Sequence, residues 1–321
     1  MAGMDRFRSA KGHRHPRVEV GDSVSMPLLW RDRKIAPPLA YLATVASVNS
    51  GRAAAVALSL RVVSAVILLT AATGCRASPA AQQQNDPANV PLGRPAVIAE
   101  SPHDPSAFTE GLVFDGPALY ESTGQLGQSQ LRELDPASGT VLRAAPLPPD
   151  FFGEGTAVVG DRIWQLTWKN GVAIEWDKAS FTPLRQVPVS GEGWGLCYDG
   201  NRLVRSDGTD RLRFHDPTSF AEIGSVPVTY QGKPFTGLNE LECVDGQVWA
   251  NVFPTDLIAR IDPAAGKVTA VVDATGLLDA APRAQAKELN GIAYAGADEF
   301  LLTGKYWPAT FRVRFDVAGA K

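Results

Sequence analysis

The chain has 321 residues, with 31 Lys/Arg against 34 Asp/Glu and a formal charge of −3. Ten of the cations fall in residues 1–75 beside only four acids, which leaves 21 against 30 in the remainder. An acidic body without clustered cations argues against nucleic-acid recognition, but its field would attract cationic peptides.

In chain order, residues 1–50 are too long for the basic start of an export signal and are read as a non-native or disordered extension, with the true start downstream. Residues 51–75 carry that signal. Arg52 and Arg61 border the apolar runs Ala53–Leu60 and Val62–Thr70, and small residues follow in Ala72-Thr73-Gly74-Cys75. A cysteine at that point resembles a lipobox, in which Cys75 becomes a lipidated N-terminus, although Ala72 stands where Leu is usual. The expected localisation is exported, periplasmic or at the cell surface, anchored through Cys75, with membrane contact through that lipid alone. Plain secretion and an uncleaved anchor are the alternatives. Residues 76–93 are rich in Ala, Gln, Pro and Asn, with no apolar period, and read as a flexible linker. The folded domain is expected over 94–318.

Within that domain one pattern recurs five times: a polar or aromatic residue, a short apolar run closing on Gly, then a second β-rich run. The closing glycines are Gly116, Gly160, Gly200, Gly246 and Gly296, at spacings of 44, 40, 46 and 50 residues. A period near 45 with several short strands per unit predicts a β-propeller. Each unit continues as strand, Asp-containing turn, strand, for example LRELDPASGTVLRAAPL; the Asp side chain caps its own turn and Pro presets φ. The predicted fold is therefore all-β, a five-bladed propeller with four antiparallel strands per blade. The fifth unit supplies three strands only, so RPAVIAE (94–100) is expected to complete it and close the ring, removing an open sheet edge. Residues 273–289 are too long for a tight turn and are read as a loop with a short helix beside the channel mouth.

Aligning the units on those glycines places Glu110, Glu154, Trp194, Glu240 and Asn290 in register, at the start of each innermost strand. Glu154 sits between two glycines in FFGEGT after Phe151 and Phe152. Close approach at Gly and desolvation by aromatics would raise its pKa toward the range useful for proton transfer. Trp168 and Trp194 are expected on the same face, as the apolar part of a pocket with a polar end. Asn239 offers both a donor and an acceptor. Lys305 is either a functional cation or the salt-bridge partner of a channel Glu. Glu240 and Glu242 read as structural, hydrogen-bonding between blades, and Asn290 as scaffold. His103 is assigned to a turn or the incoming strand rather than to a metal, and His215 to an exposed position in an outer hairpin. Cys197 and Cys243 occupy equivalent positions in consecutive units and are read as buried free thiols, since equivalent positions on neighbouring units diverge from the axis beyond disulfide reach. No His/Cys/carboxylate spacing suits a metal, and no cofactor is expected.

The segments PHDPSAFTEGL, LYESTG, GEG, QLTWK, GEGWGL, SDG, LNELE, ANV, IDPAAGKV, LNGIAY and TGKYWP, in this order, resemble the plant and bacterial glutaminyl cyclases (glutamine cyclotransferases) over about 100–313. The resemblance implies a five-bladed propeller that converts N-terminal glutaminyl residues of peptides or proteins to pyroglutamyl and releases ammonia, without metal. It implies Glu154 as the catalytic acid/base, with Phe108, Phe152, Trp168 and Trp194 lining the pocket and Asn239 and Lys305 as polar members. Two departures stand out: Glu110 replaces the Gln of plant members, and Phe253 stands where a Trp is expected. Both positions are kept as substrate-binding candidates. A monomer is expected. A non-catalytic propeller that binds a peptide or partner is the alternative reading, and a metal-dependent lactonase-like hydrolase is a third.

Overall fold

The computed structural model describes residues 90–278 and 285–317. Every regular element among them is a β-strand. The chain first builds three separate four-stranded antiparallel meanders, each in sequence order. The first holds β2 (Thr109–Asp115), β3 (Ala118–Thr123), β4 (Gln130–Leu134) and β5 (Val141–Pro146). The second holds β6 (Gly153–Val159), β7 (Arg162–Thr167), β8 (Val172–Asp177) and β9 (Thr182–Pro188), and the third β10 (Leu196–Tyr198), β11 (Leu203–Arg205), β12 (Arg211–His215) and β13 (Glu222–Pro227). The turns follow the Asp rule: Asp135 Oδ1 accepts from the Ser138 N–H at 2.7 Å, and Asp216 Oδ1 accepts from that of Ser219 at the same distance.

A ten-stranded sheet follows. One run comprises β16 (Leu238–Val244), β17 (Gln247–Val252), β18 (Leu257–Asp262) and β19 (Lys267–Asp273), with the small hairpin β14 (Thr229–Tyr230) and β15 (Lys233–Pro234) attached at β19. The other comprises β20 (Leu289–Gly296), β21 (Glu299–Gly304) and β22 (Ala309–Asp316), and its fourth strand is β1 (Leu92–Pro102). As expected, the N-terminal strand pairs antiparallel with β22, from Arg94 opposite Asp316 to Pro102 opposite Ala309. Leu92 and Gly93 also pair parallel with Val271 and Val272 of β19, which joins the two runs. Residues 90–93, within the segment read as a linker, are thus packed against β19, with Val90 on the core beside it.

The first strands of successive runs lie against one another in a circuit. β2 meets β6 where Gly111 faces the Thr156 nitrogen, and β6 meets the start of β10 through a Gly155 N–H to Trp194 carbonyl bond of 2.6 Å. β10 and β16 are joined by the Cys197–Cys243 disulfide, β16 and β20 by Glu240 on the Ile292 N–H, and β20 returns to β2 through Asn290 on the Thr109 carbonyl. The hydrophobic core repeats the same order. Leu131, Ile163 and Trp176 pack between the first and second runs, and Trp164, Leu203 and Phe220 between the second and third. Val204 and Val248 join third to fourth, Trp249 and Phe300 fourth to fifth, and Leu112 and Leu301 fifth back to first. Stability is therefore divided among several core clusters between successive runs rather than held in one central core.

Two expectations are corrected. Cys197 and Cys243 are disulfide-bonded, with Cα atoms 5.5 Å apart. They lie on first strands, where neighbouring runs approach closely and have not yet diverged, so they fall within bonding reach. His215 is buried, not exposed: β12 places its ring against Phe220, and Nδ1 donates to the Phe220 carbonyl at 2.9 Å. His103 follows β1 directly and is also buried, bonded to the Trp307 carbonyl at 2.8 Å and Glu121 at 2.9 Å. The helix expected within 273–289 falls in part on residues 279–284, outside the described residues, as do the extension, the export signal with Cys75, and residues 76–89 of the linker.

Candidate active site

Glu154 is the second residue of β6, and the backbone around it is tightly held. A Cβ on Gly153 would lie 2.6 Å from the Thr123 carbonyl oxygen, and one on Gly155 would lie 2.6 Å from that of Trp194. Only glycine on both sides allows β6 this close to its neighbours. The β6–β7 register also slips between Gly153 and Thr156, and similar slips occur at Glu110 in β2, at Asn239–Glu240 in β16 and at Asn290–Gly291 in β20. A bulge takes a side chain out of the strict alternation of a strand and re-aims it. That is why residues in register along the sequence become neighbours in space.

The side chains form a charged centre. Glu110 Oε1 lies 2.9 Å from Lys305 Nζ, and Glu110 Oε2 accepts from Asn290 Nδ2 at 2.8 Å. Burial raises the Glu110 pKa to about 7, against the opposing pull of Lys305. Lys305 is nearly as enclosed; burial works against its charge, but Glu110, Glu154 and Glu288 outweigh it and raise its pKa, so it remains an ammonium. Glu154 differs from Glu110 in one respect. No group among the described residues hydrogen-bonds its carboxylate, although the residue is only 5 % exposed. Burial, then Glu110, then Glu192 raise its pKa well above the usual carboxylate range, with Lys305 opposing.

Two groups of aromatic rings pack around this centre. Phe108 packs edge-on to Phe152 at 5.8 Å and to Tyr306 at 5.1 Å, and Phe152 meets Trp168 at 5.6 Å. Trp194 and Phe253 form a second edge-on pair at 5.7 Å. Lys305 Nζ lies 4.7 Å from the Phe108 centroid and 5.6 Å from that of Phe253, so both groups converge on it. Asn239 is buried beside Trp194: its carbonyl abuts Gly195 and accepts from Ser206 Oγ at 2.6 Å, and its amide makes no hydrogen bond among the described residues.

The structure thus gathers Glu154, Glu110, Lys305, Phe108, Phe152 and Trp168, with Trp194, Phe253 and Asn239 beside them. Glu240 and Glu242 do bridge between runs as expected, on the N–H groups of Leu112 (3.2 Å), Ile292 (2.9 Å) and Tyr294 (3.1 Å). Sequence reasoning missed Tyr306, Glu288 and Glu192. Tyr306 and Glu288 carry no local signal, because a chain reversal at Lys305 and an inserted loop bring them in. Glu192 did carry one: Gly-Glu-Gly in GEGWG repeats the setting of Glu154 in FFGEGT.

An all-β scaffold here holds a buried carboxylate that has no hydrogen-bond partner among the described residues, beside a carboxylate–ammonium pair and a set of aromatic rings. The family model for glutamine cyclotransferase matches residues 66–315. Over 232 residues the chain is 36 % identical to glutaminyl-peptide cyclotransferase of Arabidopsis thaliana, covering 70 % of this chain and 72 % of that protein. It is also similar to the crystal structure of Myxococcus xanthus glutaminyl cyclase, at 41 % identity and a TM-score of 0.66, over 72 % of this chain and 100 % of that one. The chain belongs to the glutamine cyclotransferase family.

Proposed function

We propose that this protein is a glutaminyl-peptide cyclotransferase in which Glu154 moves the proton. The observation that carries the assignment is the Glu154 carboxylate, buried and without a hydrogen-bond partner among the described residues, beside the Glu110–Lys305 pair. Intramolecular attack needs the substrate's α-amine in neutral form, and a peptide α-amine has a pKa of about 7.7–8.0. Ionised Glu154 takes a proton from that amine as its nitrogen bonds to the γ-carbonyl carbon. Protonated Glu154 then returns the proton to the carboxamide nitrogen as the bond to it breaks, releasing ammonia and leaving the lactam. A raised pKa suits both halves, because the group must accept and donate within one turnover. Lys305 or Asn239 supplies a donor to the oxyanion of the tetrahedral intermediate. The aromatic walls of Phe108, Phe152, Trp168, Trp194 and Phe253 fold the glutaminyl side chain back toward its own amine, which provides proximity.

Incubating the protein with a Gln-initiated peptide and weighing the product tests this directly. Loss of the mass of one ammonia is expected; an unchanged mass with retained binding would favour the non-catalytic binding module. Activity that survives chelation is expected as well, and chelator sensitivity would revive the hydrolase alternative.

The same reading takes the five four-stranded runs as the blades of a β-propeller closed by β1. The circuit of first-strand contacts and the matching circuit of core interfaces support it. We also infer export and lipidation at Cys75. The support is the signal-like run that ends there and the Cys197–Cys243 bond, since disulfides persist in oxidising compartments. Incorporation of a labelled fatty acid that is lost in Cys75→Ser tests the anchor.

A further inference from the structure

Glu192 lies in the connection from β9 to β10, between two glycines. Its Oε2 accepts from the indole N–H of Trp168 at 2.9 Å and from that of Trp194 at 3.0 Å. Those two rings come from different sheets: Trp168 directly follows β7, and Trp194 precedes β10. One carboxylate oxygen therefore spans the seam between two runs at the point where both contribute a wall. Lys169 Nζ sits 3.7 Å from Oε1 and 3.9 Å from the Trp168 ring centre.

The Glu192 segment is held from behind. Arg205 is fully buried, and its guanidinium donates to the Glu192 carbonyl at 2.6 Å and to the Ser190 carbonyl at 3.1 Å. Its Nε donates to His215 Nε2 at 3.1 Å, while His215 Nδ1 donates to Phe220, so the imidazole is neutral with its acceptor toward Arg205. Gly193 presses on β7, where a Cβ would lie 2.7 Å from the Thr167 oxygen, and Gly208 lies under the Trp194 ring with no room for a side chain. A buried arginine with two donors on backbone carbonyls of one short loop fixes that loop, and here the loop's one acidic side chain holds both tryptophans.

We propose that Glu192 is a positioning residue for the cyclisation: it sets the spacing and tilt of the Trp168 and Trp194 walls, and with them the grip on the glutaminyl side chain. This rests on the cyclotransferase reading. An oxygen with two lone pairs accepts from both indole donors at once, whereas a side chain without an acceptor would remove this bridge between the two sheets. The same carboxylate also bears on Glu154 through space. It adds to Glu110, and opposes Lys305, in favouring the protonated form of Glu154, while Lys169 is the cation facing Glu192 itself.

The two roles separate with two variants. Glu192→Ala should raise KM for a Gln-initiated peptide about tenfold, the loss of one to two net hydrogen bonds, with a smaller change in kcat. It should also shift tryptophan emission to longer wavelength. Glu192→Gln keeps an acceptor oxygen and should restore KM and emission, but with the charge gone the acidic limb of kcat/KM moves to lower pH. Parental KM and emission in folded Glu192→Ala would overturn the proposal. So would a loss of kcat/KM that only tracks a lowered Tm, without the KM split or the pH shift. If the parent protein releases no ammonia, the cyclotransferase reading fails instead. The wall-setting role is then decided by emission: a red shift in Glu192→Ala rescued in Glu192→Gln supports it, and no shift overturns it.

Discussion

Glu154 in β6 and Glu240 in β16 stand at the same point of the repeat, are both buried, and have pKa values pushed well up by that burial. Their surroundings separate them. Glu240 turns each oxygen to a backbone N–H, of Leu112 and of Ile292, and so ties three first strands together. Glu154 has no such donor among the described residues and faces Glu110, Lys305 and Glu192 through space. A buried carboxylate whose lone pairs are filled by the main chain is scaffold, whereas one left open is available to a substrate proton. The difference arises from what the neighbouring strands present, not from the residue itself.

Four substitutions would break or sharpen that contrast. The largest effect is expected from Glu154→Gln, which should cost 10²–10⁴-fold in kcat with Tm near the parent value, as for removal of a general acid–base group. Turnover within tenfold of the parent would place the proton transfer elsewhere. Glu240→Ala should do the reverse. Stripping acceptors from two buried N–H groups should cost about 2–6 kcal/mol in denaturant unfolding, with the folded fraction still turning over.

A third carboxylate, Glu121 in β3, is buried, paired with His103 at 2.9 Å and 3.6 Å from Arg132. Burial works against the charge of both partners. Even so, Glu121 and the Trp307 carbonyl raise the His103 pKa, and His103 with Arg132 lowers that of Glu121. A raised histidine pKa gives stability that is complete below its unfolded value of about 6.5 and is lost as pH rises through the folded value. The Glu121 share is present above about 4.3 and is lost as pH falls through its lowered folded value. His103→Gln should therefore cost about 3–5 kcal/mol near pH 6 and abolish the decline of Tm on the alkaline side; an unchanged Tm–pH curve would count against the charged pair. The smallest effect belongs to Glu110→Gln. Removing that charge lowers the Glu154 pKa, so the acidic limb of kcat/KM should move to lower pH, and a limb that stays in place would mean the two carboxylates do not communicate.

Much of this was legible locally. The period between Gly116 and Gly296, the Asp turns and the missing strand of the last unit are short-range patterns, and β1 on β22 follows from counting strands. The Gly-Glu-Gly setting pointed to Glu154 because a close approach of strands demands glycine there. The two clear misses share one cause. His215 reads as polar and hence exposed, and Cys197 with Cys243 as too far apart. Both judgements depend on how neighbouring sheets pack, and a strand pattern carries no information about the distance to the next sheet.

The amino-acid order by itself determined the all-β class, the five repeated units and the set of acids and aromatics in register, because strand period and turn chemistry act over a few residues. The tertiary structure alone decided which of those acids would be filled and which left open. Asn290 meets Glu110 across 180 residues of chain, and Glu192 meets two tryptophans on separate sheets. Charge, hydrogen bonding and desolvation act through space, so the chemistry of each carboxylate was set only once the sheets had packed.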